Sequence, residues 1–258
     1  MRRAAALAAC ALVAACATGG APLPPPAVQG YLDAAALDAI AEGFATPPPS
    51  PSHWQGDAPG KGPGSDRWWL ATAHAEIRPP EAAQHFDCVL GTRLAARPRP
   101  ALTRLMTRLL VDSDAASRRL AERHPRHRPI ALEPDLQPCQ RIDAATRASP
   151  SWPATGAVVG AAYGEMFAAL SPDHAGDART RGAEIGYSRV VCRMNWPQDV
   201  EDGLRVGRRV YTGAHQAPDF QADLEAARAE LAAARAEGLT NPSCAAERRA
   251  LNLRPDAG

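Results

Sequence analysis

Lysine is nearly absent from this chain: all but one of its 29 basic residues are arginine, the exception being Lys61. Any fixed anion site must therefore be built from guanidinium forks rather than ammonium points. An excess of either charge is missing as well, because 28 acidic residues leave a formal net charge of only +1. That balance excludes a nucleic-acid partner held by a bulk positive field. No apolar run reaches the roughly 20 residues that a membrane-spanning helix needs, so a polytopic membrane protein is excluded too. CxxC pairs and Cys/His spacings of the zinc-binding kind do not occur. His124 and His127 stand three apart, but Pro125 interrupts them, and they read as a basic surface stretch, so no metal or other cofactor is expected. Runs of alternating β-branched residues are also wanting, and Val190-Val191 is too short for a strand. What remains is an all-α protein with one sizeable core, rich in loops but not in the composition of a disordered chain.

What is present begins with a leader-like N-terminus. Met1-Arg2-Arg3 is a basic n-region, Ala4 to Ala15 a short apolar h-region, and Val13-Ala14-Ala15-Cys16 resembles a bacterial lipobox. The expectation is a signal peptide over residues 1–15 and a lipid on Cys16, which anchors the mature protein to a membrane of the bacterial cell envelope, in the periplasm. An ordinary secretory signal is the alternative. Four cysteines then remain, Cys88, Cys139, Cys192 and Cys244; in an oxidising compartment they form two disulfides most simply, and three connectivities are open.

Residues 17–66 hold ten of the 25 prolines, and 16–66 reads as a proline-rich tether with one short helix marked by Leu32, Leu37, Ile40 and Phe44. Helical patterning dominates from residue 67. Leu102, Leu105, Met106, Leu109 and Leu110 fall on one face after a first-turn Pro100, with Arg104 and Arg108 opposite. A second stripe, Val159 to Leu170, runs from behind Pro153 to Ser171-Pro172. A third helix starts at Pro197 with Val200, Leu204 and Tyr211 on its apolar side, and Gly203 and Gly207 admit a close neighbour. A fourth, alanine-rich helix runs from Asp219 to about Gly238. The expected helical domain is 67–238, followed by a tail over 239–258.

Three segments in fixed order carry a resemblance: Arg128-Pro129, then Ser151-Trp152-Pro153-Ala154-Thr155-Gly156, then Ser188-Arg189 through Cys192 and Asn195 to Asp199. This resembles the tripartite signature KxxxxxxRP, PSGH, SRxxxxxHxxxD of the bacterial class A non-specific acid phosphatases, members of the type 2 phosphatidic acid phosphatase and vanadium haloperoxidase superfamily. The likeness covers about residues 67–235. It implies a helical bundle of that superfamily's type, hydrolysis of phosphomonoesters, and phosphate held by the arginines matching Arg128 and Arg189. It also implies a Cys139–Cys192 disulfide, which leaves Cys88 with Cys244.

The departures from the signature fall on the reacting groups. The family's nucleophilic histidine is Asn195 here, and a carboxamide nitrogen has no lone pair with which to attack phosphorus. The histidine that protonates the leaving group is Gly156, and general acid catalysis alone is typically worth about 10²- to 10⁴-fold. Asp199, which orients the nucleophilic histidine in the family, is retained. The first-motif lysine is Ala121, with Arg118 one turn earlier as a candidate substitute for its charge. The expectation is an acid-phosphatase-like lipoprotein that binds phosphate or a small phosphomonoester with weak or no turnover. The alternatives are an active acid phosphatase with a rearranged site, using His124 or His127 as acid, and a structural envelope lipoprotein.

Overall fold

The computed structural model describes residues 28–54 and 60–252. The expected signal peptide and Cys16 therefore lie outside the described residues. Every regular element among the described residues is helical, and none is long and apolar enough to cross a membrane. In chain order they are α1 (Ala34–Glu42), α2 (Asp66–Ala73), α3 (Asp87–Leu90), α4 (Pro100–Arg123), α5 (Pro129–Leu132), α6 (Ala144–Ala148), α7 (Thr155–Leu170), α8 (Ala175–Val191), α9 (Pro197–Ala214), α10 (Pro218–Ala236) and α11 (Cys244–Ala250), with short 3₁₀ turns between some of them.

Proline sets most of the starts. It occupies the first position of α4, α5, α9 and α10, where its missing N–H would have no intrahelical acceptor in any case. Helix α7 is apolar over nearly all of its surface, Glu165 being its one charged residue, and lies at the centre, against α4, α8, α9 and α10. Its neighbours reach it because side chains are missing at the crossings. A Cβ on Gly182 of α8 would stand 2.3 Å from the carbonyl oxygen of Gly160, and one on Gly207 of α9 would stand 2.1 Å from that of Val158. These backbone-to-backbone crossings set the spacing of the three helices that bear the second and third motifs.

The sequence pattern anticipates α4, α7, α9 and α10 but not α8. The buried face of α8 consists of Ala178, Arg181, Gly182, Ile185, Gly186 and Ser188, so an apolar stripe at helical spacing is absent from it.

The segment expected to be a free tether packs into the body over much of its length. Asp112, buried on α4, accepts the backbone N–H groups of Tyr31 (2.8 Å) and Leu32 (3.2 Å). The Tyr31 hydroxyl donates to Asp223 at 2.8 Å, and the Arg108 guanidinium lies 3.9 Å above the Tyr31 ring. Arg108, expected on an outer face of α4, is thereby covered. Asp33 caps α1, whose Leu37 and Ala41 join the main core. The packed body thus begins well before residue 67, because a buried carboxylate and an apolar helix face hold the earlier chain down. It also extends past 238: α11, within the expected tail, is joined to α3 by the Cys88–Cys244 disulfide and to α8 by the Arg181–Glu247 ion pair. The second disulfide, Cys139–Cys192, ties the loop after α5 to the end of α8.

Candidate anion site

The three motifs meet at one corner and are joined there by main-chain hydrogen bonds. Ser151 N–H donates to the Arg126 carbonyl at 2.7 Å, Ala154 N–H donates to the Asp199 carbonyl at 3.0 Å, and the Trp196 indole donates to the His127 carbonyl at 2.8 Å. The first bond links motif two to motif one, the second links motif two to motif three, and the third closes the triangle.

Arg128 precedes Pro129 in an extended conformation, and its side chain reaches across to the third motif. Its Nε donates to Ser149 Oγ at 3.1 Å and its Nη1 to the Met194 carbonyl at 2.9 Å. Arg189 stands in the last turn of α8, with its stem lying across the first turn of α7 where the second-motif histidine is missing. A Cβ on Gly156 would stand 2.7 Å from Arg189 Cδ and 3.1 Å from its Cγ. Among the described residues the Arg189 guanidinium has no hydrogen-bond or ion-pair partner.

Both guanidinium groups are recessed but not sealed from solvent. Each is held down to about 10, chiefly by burial; Asp199 offsets part of that effect at Arg128, whereas Arg128 itself adds to it at Arg189. Both remain cationic at neutral and acidic pH. Two neighbouring cations, one of them unpartnered, at a helix start that lacks a capping side chain form a donor set for an anion. Among the described residues no group of three or more His, Cys, Asp or Glu side chains is placed to hold a metal ion.

Asn195 and Asp199 sit at this corner in arrangements that differ from the sequence expectation. The Asn195 carboxamide donates to the Ser151 carbonyl, so its N–H is directed at the protein. Asp199 is fully buried and does not bond the Asn195 side chain. Its oxygens accept from Arg126 Nη1 (2.8 Å), from Ser151 Oγ and from the Trp196 N–H (2.9 Å). Burial raises its carboxyl above the usual carboxylate range against those three donors and the charge of Arg128. The aspartate therefore fixes the start of α9 and the two neighbouring motifs, and it reaches residue 195 only through Ser151.

Sequence reasoning missed Arg126 altogether and, although it named Ser151 at the head of the second motif, missed the bond from Ser151 to Asp199. The only signal for Arg126 was its place two residues before Arg128, among many arginines. The candidate substitute Arg118 faces solvent and pairs with Asp114 within α4. The ring of His124 packs edge-on against Trp152 with centroids 5.8 Å apart, and His127 is exposed; neither ring bonds a residue of the corner. Between Phe44 and Trp54 the chain crosses beside the corner. Pro49 and Ser50 accept from Arg126, and Trp54 tilts against Trp196 at 5.8 Å.

A helical body of this build, with its motifs converging on paired arginines, defines the phosphatidic acid phosphatase class of fold. The chain is 31% identical over 178 residues to an acid phosphatase of Zymomonas mobilis, covering 69% of this chain and 67% of that protein. It is 28% identical over 170 residues to a non-specific acid phosphatase of Salmonella typhimurium and 26% identical over 170 residues to one of Providencia stuartii, covering 65% of this chain and 68% of each relative. No family model matches the chain. The chain belongs to the bacterial class A acid phosphatase family. That kinship and the two disulfides point to an extracytoplasmic location.

Proposed function

We propose that this protein is a phosphate-binding member of the acid phosphatase family whose hydrolytic activity is weak or absent. The observation that carries this reading is the Arg189 guanidinium, unpartnered among the described residues, beside Arg128. Two recessed cations repel one another, and a phosphate or the phosphoryl head of a small monoester relieves that repulsion through bidentate charge-assisted hydrogen bonds. Turnover needs more than this. A nucleophile must attack phosphorus and a proton must reach the departing alkoxide, and the positions for both hold Asn195 and Gly156. Thr155 supplies a hydroxyl next to Gly156, but no base bonds it among the described residues. The lipobox at Val13–Cys16 supports attachment of the mature chain to the envelope through a lipid on Cys16.

Calorimetry with inorganic phosphate tests the binding. The native chain should bind, and Arg189→Ala should weaken binding by at least about tenfold, the equivalent of ~1.4 kcal/mol. Steady-state hydrolysis of p-nitrophenyl phosphate near pH 5 to 6 tests the chemistry. Rapid turnover by the native chain that Arg189→Ala abolishes would overturn the non-catalytic reading in favour of an active phosphatase. Absence of both binding and turnover would leave a structural envelope protein.

A further inference from the structure

A groove of about 700 Å³ separates the chain at Gly43–Pro48 from one face of α9. It is distinct from the corner just described, since Arg128, Gly156, Arg189 and Asn195 do not line it. Its α9 wall presents Gln198, Asp202, Arg205, Arg208, Arg209 and Thr212. Residues 205, 208 and 209 share a helix face by their spacing, and like charges so placed destabilise a helix unless something neutralises them.

The protein supplies little of that neutralisation. Asp202 is the only carboxylate in the lining among the described residues, and its oxygens already accept from Gln198 Nε2 (3.0 Å), the Trp152 indole (2.8 Å) and Arg205. Arg209 donates to the Gly43 carbonyl at 3.0 Å and lies 4.6 Å above the Phe44 ring, both of them uncharged partners. The Arg208 guanidinium has no hydrogen-bond or ion-pair partner among the described residues and is exposed. Two nearby carboxylates, Glu42 at the end of α1 and Glu201 on α9, do not line the groove. Among the described residues, two adjacent guanidinium charges therefore face an open groove without a counter-charge.

We propose that this groove is a second anion site, for a soluble ligand with two linked phosphoryl groups, of the phosphoanhydride class. Arg208 and Arg209 are adjacent forks, each able to take one phosphoryl group, and the groove is larger than a single phosphate requires. Gln198 adds a neutral donor to the lining through the amide hydrogen that Asp202 does not take.

The test uses the full chain carrying Arg189→Ala, which weakens the corner site, titrated calorimetrically with inorganic pyrophosphate. Pyrophosphate should bind this variant, and inorganic phosphate should bind at least about tenfold more weakly. Adding Arg208→Ala should weaken pyrophosphate binding by about tenfold or more without lowering the melting temperature, because Arg208 makes no contact that holds the fold and its removal relieves like-charge repulsion on α9. Loss of all pyrophosphate binding in Arg189→Ala alone would overturn the proposal, since the corner would then be the sole site. Unchanged affinity after Arg208→Ala would overturn it too. So would binding to phosphatidylglycerol vesicles that Arg208→Glu abolishes in a protein that ignores pyrophosphate, because the face would then be a lipid contact.

Discussion

Replacing Gly156 by alanine adds one methyl group at the point where the missing imidazole and the surviving arginine meet. The new Cβ would stand 2.7 Å from Arg189 Cδ and 3.1 Å from Cγ, against an ordinary carbon–carbon separation of about 3.5 to 4.0 Å. Gly156 is buried, so the collision must be relieved by moving the arginine stem or by shifting α7 against α8. Overpacking of this kind typically costs about 1 to 3 kcal/mol. If the stem gives way, the cost falls on the anion site: the guanidinium leaves its place beside Arg128, and phosphate affinity drops by about 5- to 150-fold. If the helices give way, the same cost appears as lost stability. Calorimetric titration with phosphate and a thermal melt of the same variant measure both outcomes. Gly156→Ala with native phosphate affinity and a native melt would refute the placement of Arg189 across α7.

Other substitutions probe the supports of the corner. Arg126→Ala leaves the Asp199 carboxylate buried without its ion-pair partner, and removing one member of such a pair typically costs about 3 to 5 kcal/mol, readable by denaturant unfolding. A loss under about 1 kcal/mol would mean that Ser151 and the Trp196 N–H suffice. Asn195→His alone should give no p-nitrophenyl phosphate hydrolysis above that of the native chain. Asp199, which would have to orient the new imidazole, is already bonded to Arg126, Ser151 and the Trp196 N–H, and residue 156 supplies no acid. A burst of nitrophenol would contradict this. Finally, His74 is fully buried, and burial, His85, Arg181 and Arg67 all hold its imidazole well below its ordinary value, while burial also lowers His85. At these two histidines the unfolded chain thus binds more protons than the folded one below about pH 6.5, so their contribution to stability is full above that value and falls as the pH drops through it. Melting temperatures from pH 8 to 5 should show this fall, and His74→Gln should flatten it; an unchanged slope would place the acid sensitivity elsewhere.

Much of this molecule was legible in its sequence because the signals are local. Prolines at first helical positions and apolar residues at helical spacing mark α4, α7, α9 and α10, and a short apolar face marks α1. The order and spacing of three motifs identify the kinship, and Gly156 and Asn195 could be recognised as departures without coordinates. The same kinship implied the Cys139–Cys192 bond that the structure contains.

The tertiary structure alone decided whatever depends on residues distant in the chain. Helix α8 escaped notice because it packs through small and polar residues whose roles exist only against α2, α7, α9 and α11. The anchoring of residues 30–44 rests on Asp112 and on the face of α4, some 80 positions away, so a proline-rich composition could not reveal it. Arg126 and Ser151 matter because Asp199 is folded against them, and Arg189 lies across Gly156 because two helix backbones approach where side chains are missing. A sequence names the groups available to an anion, but which of them lack a counter-charge depends on distance, and distance is set when the helices pack.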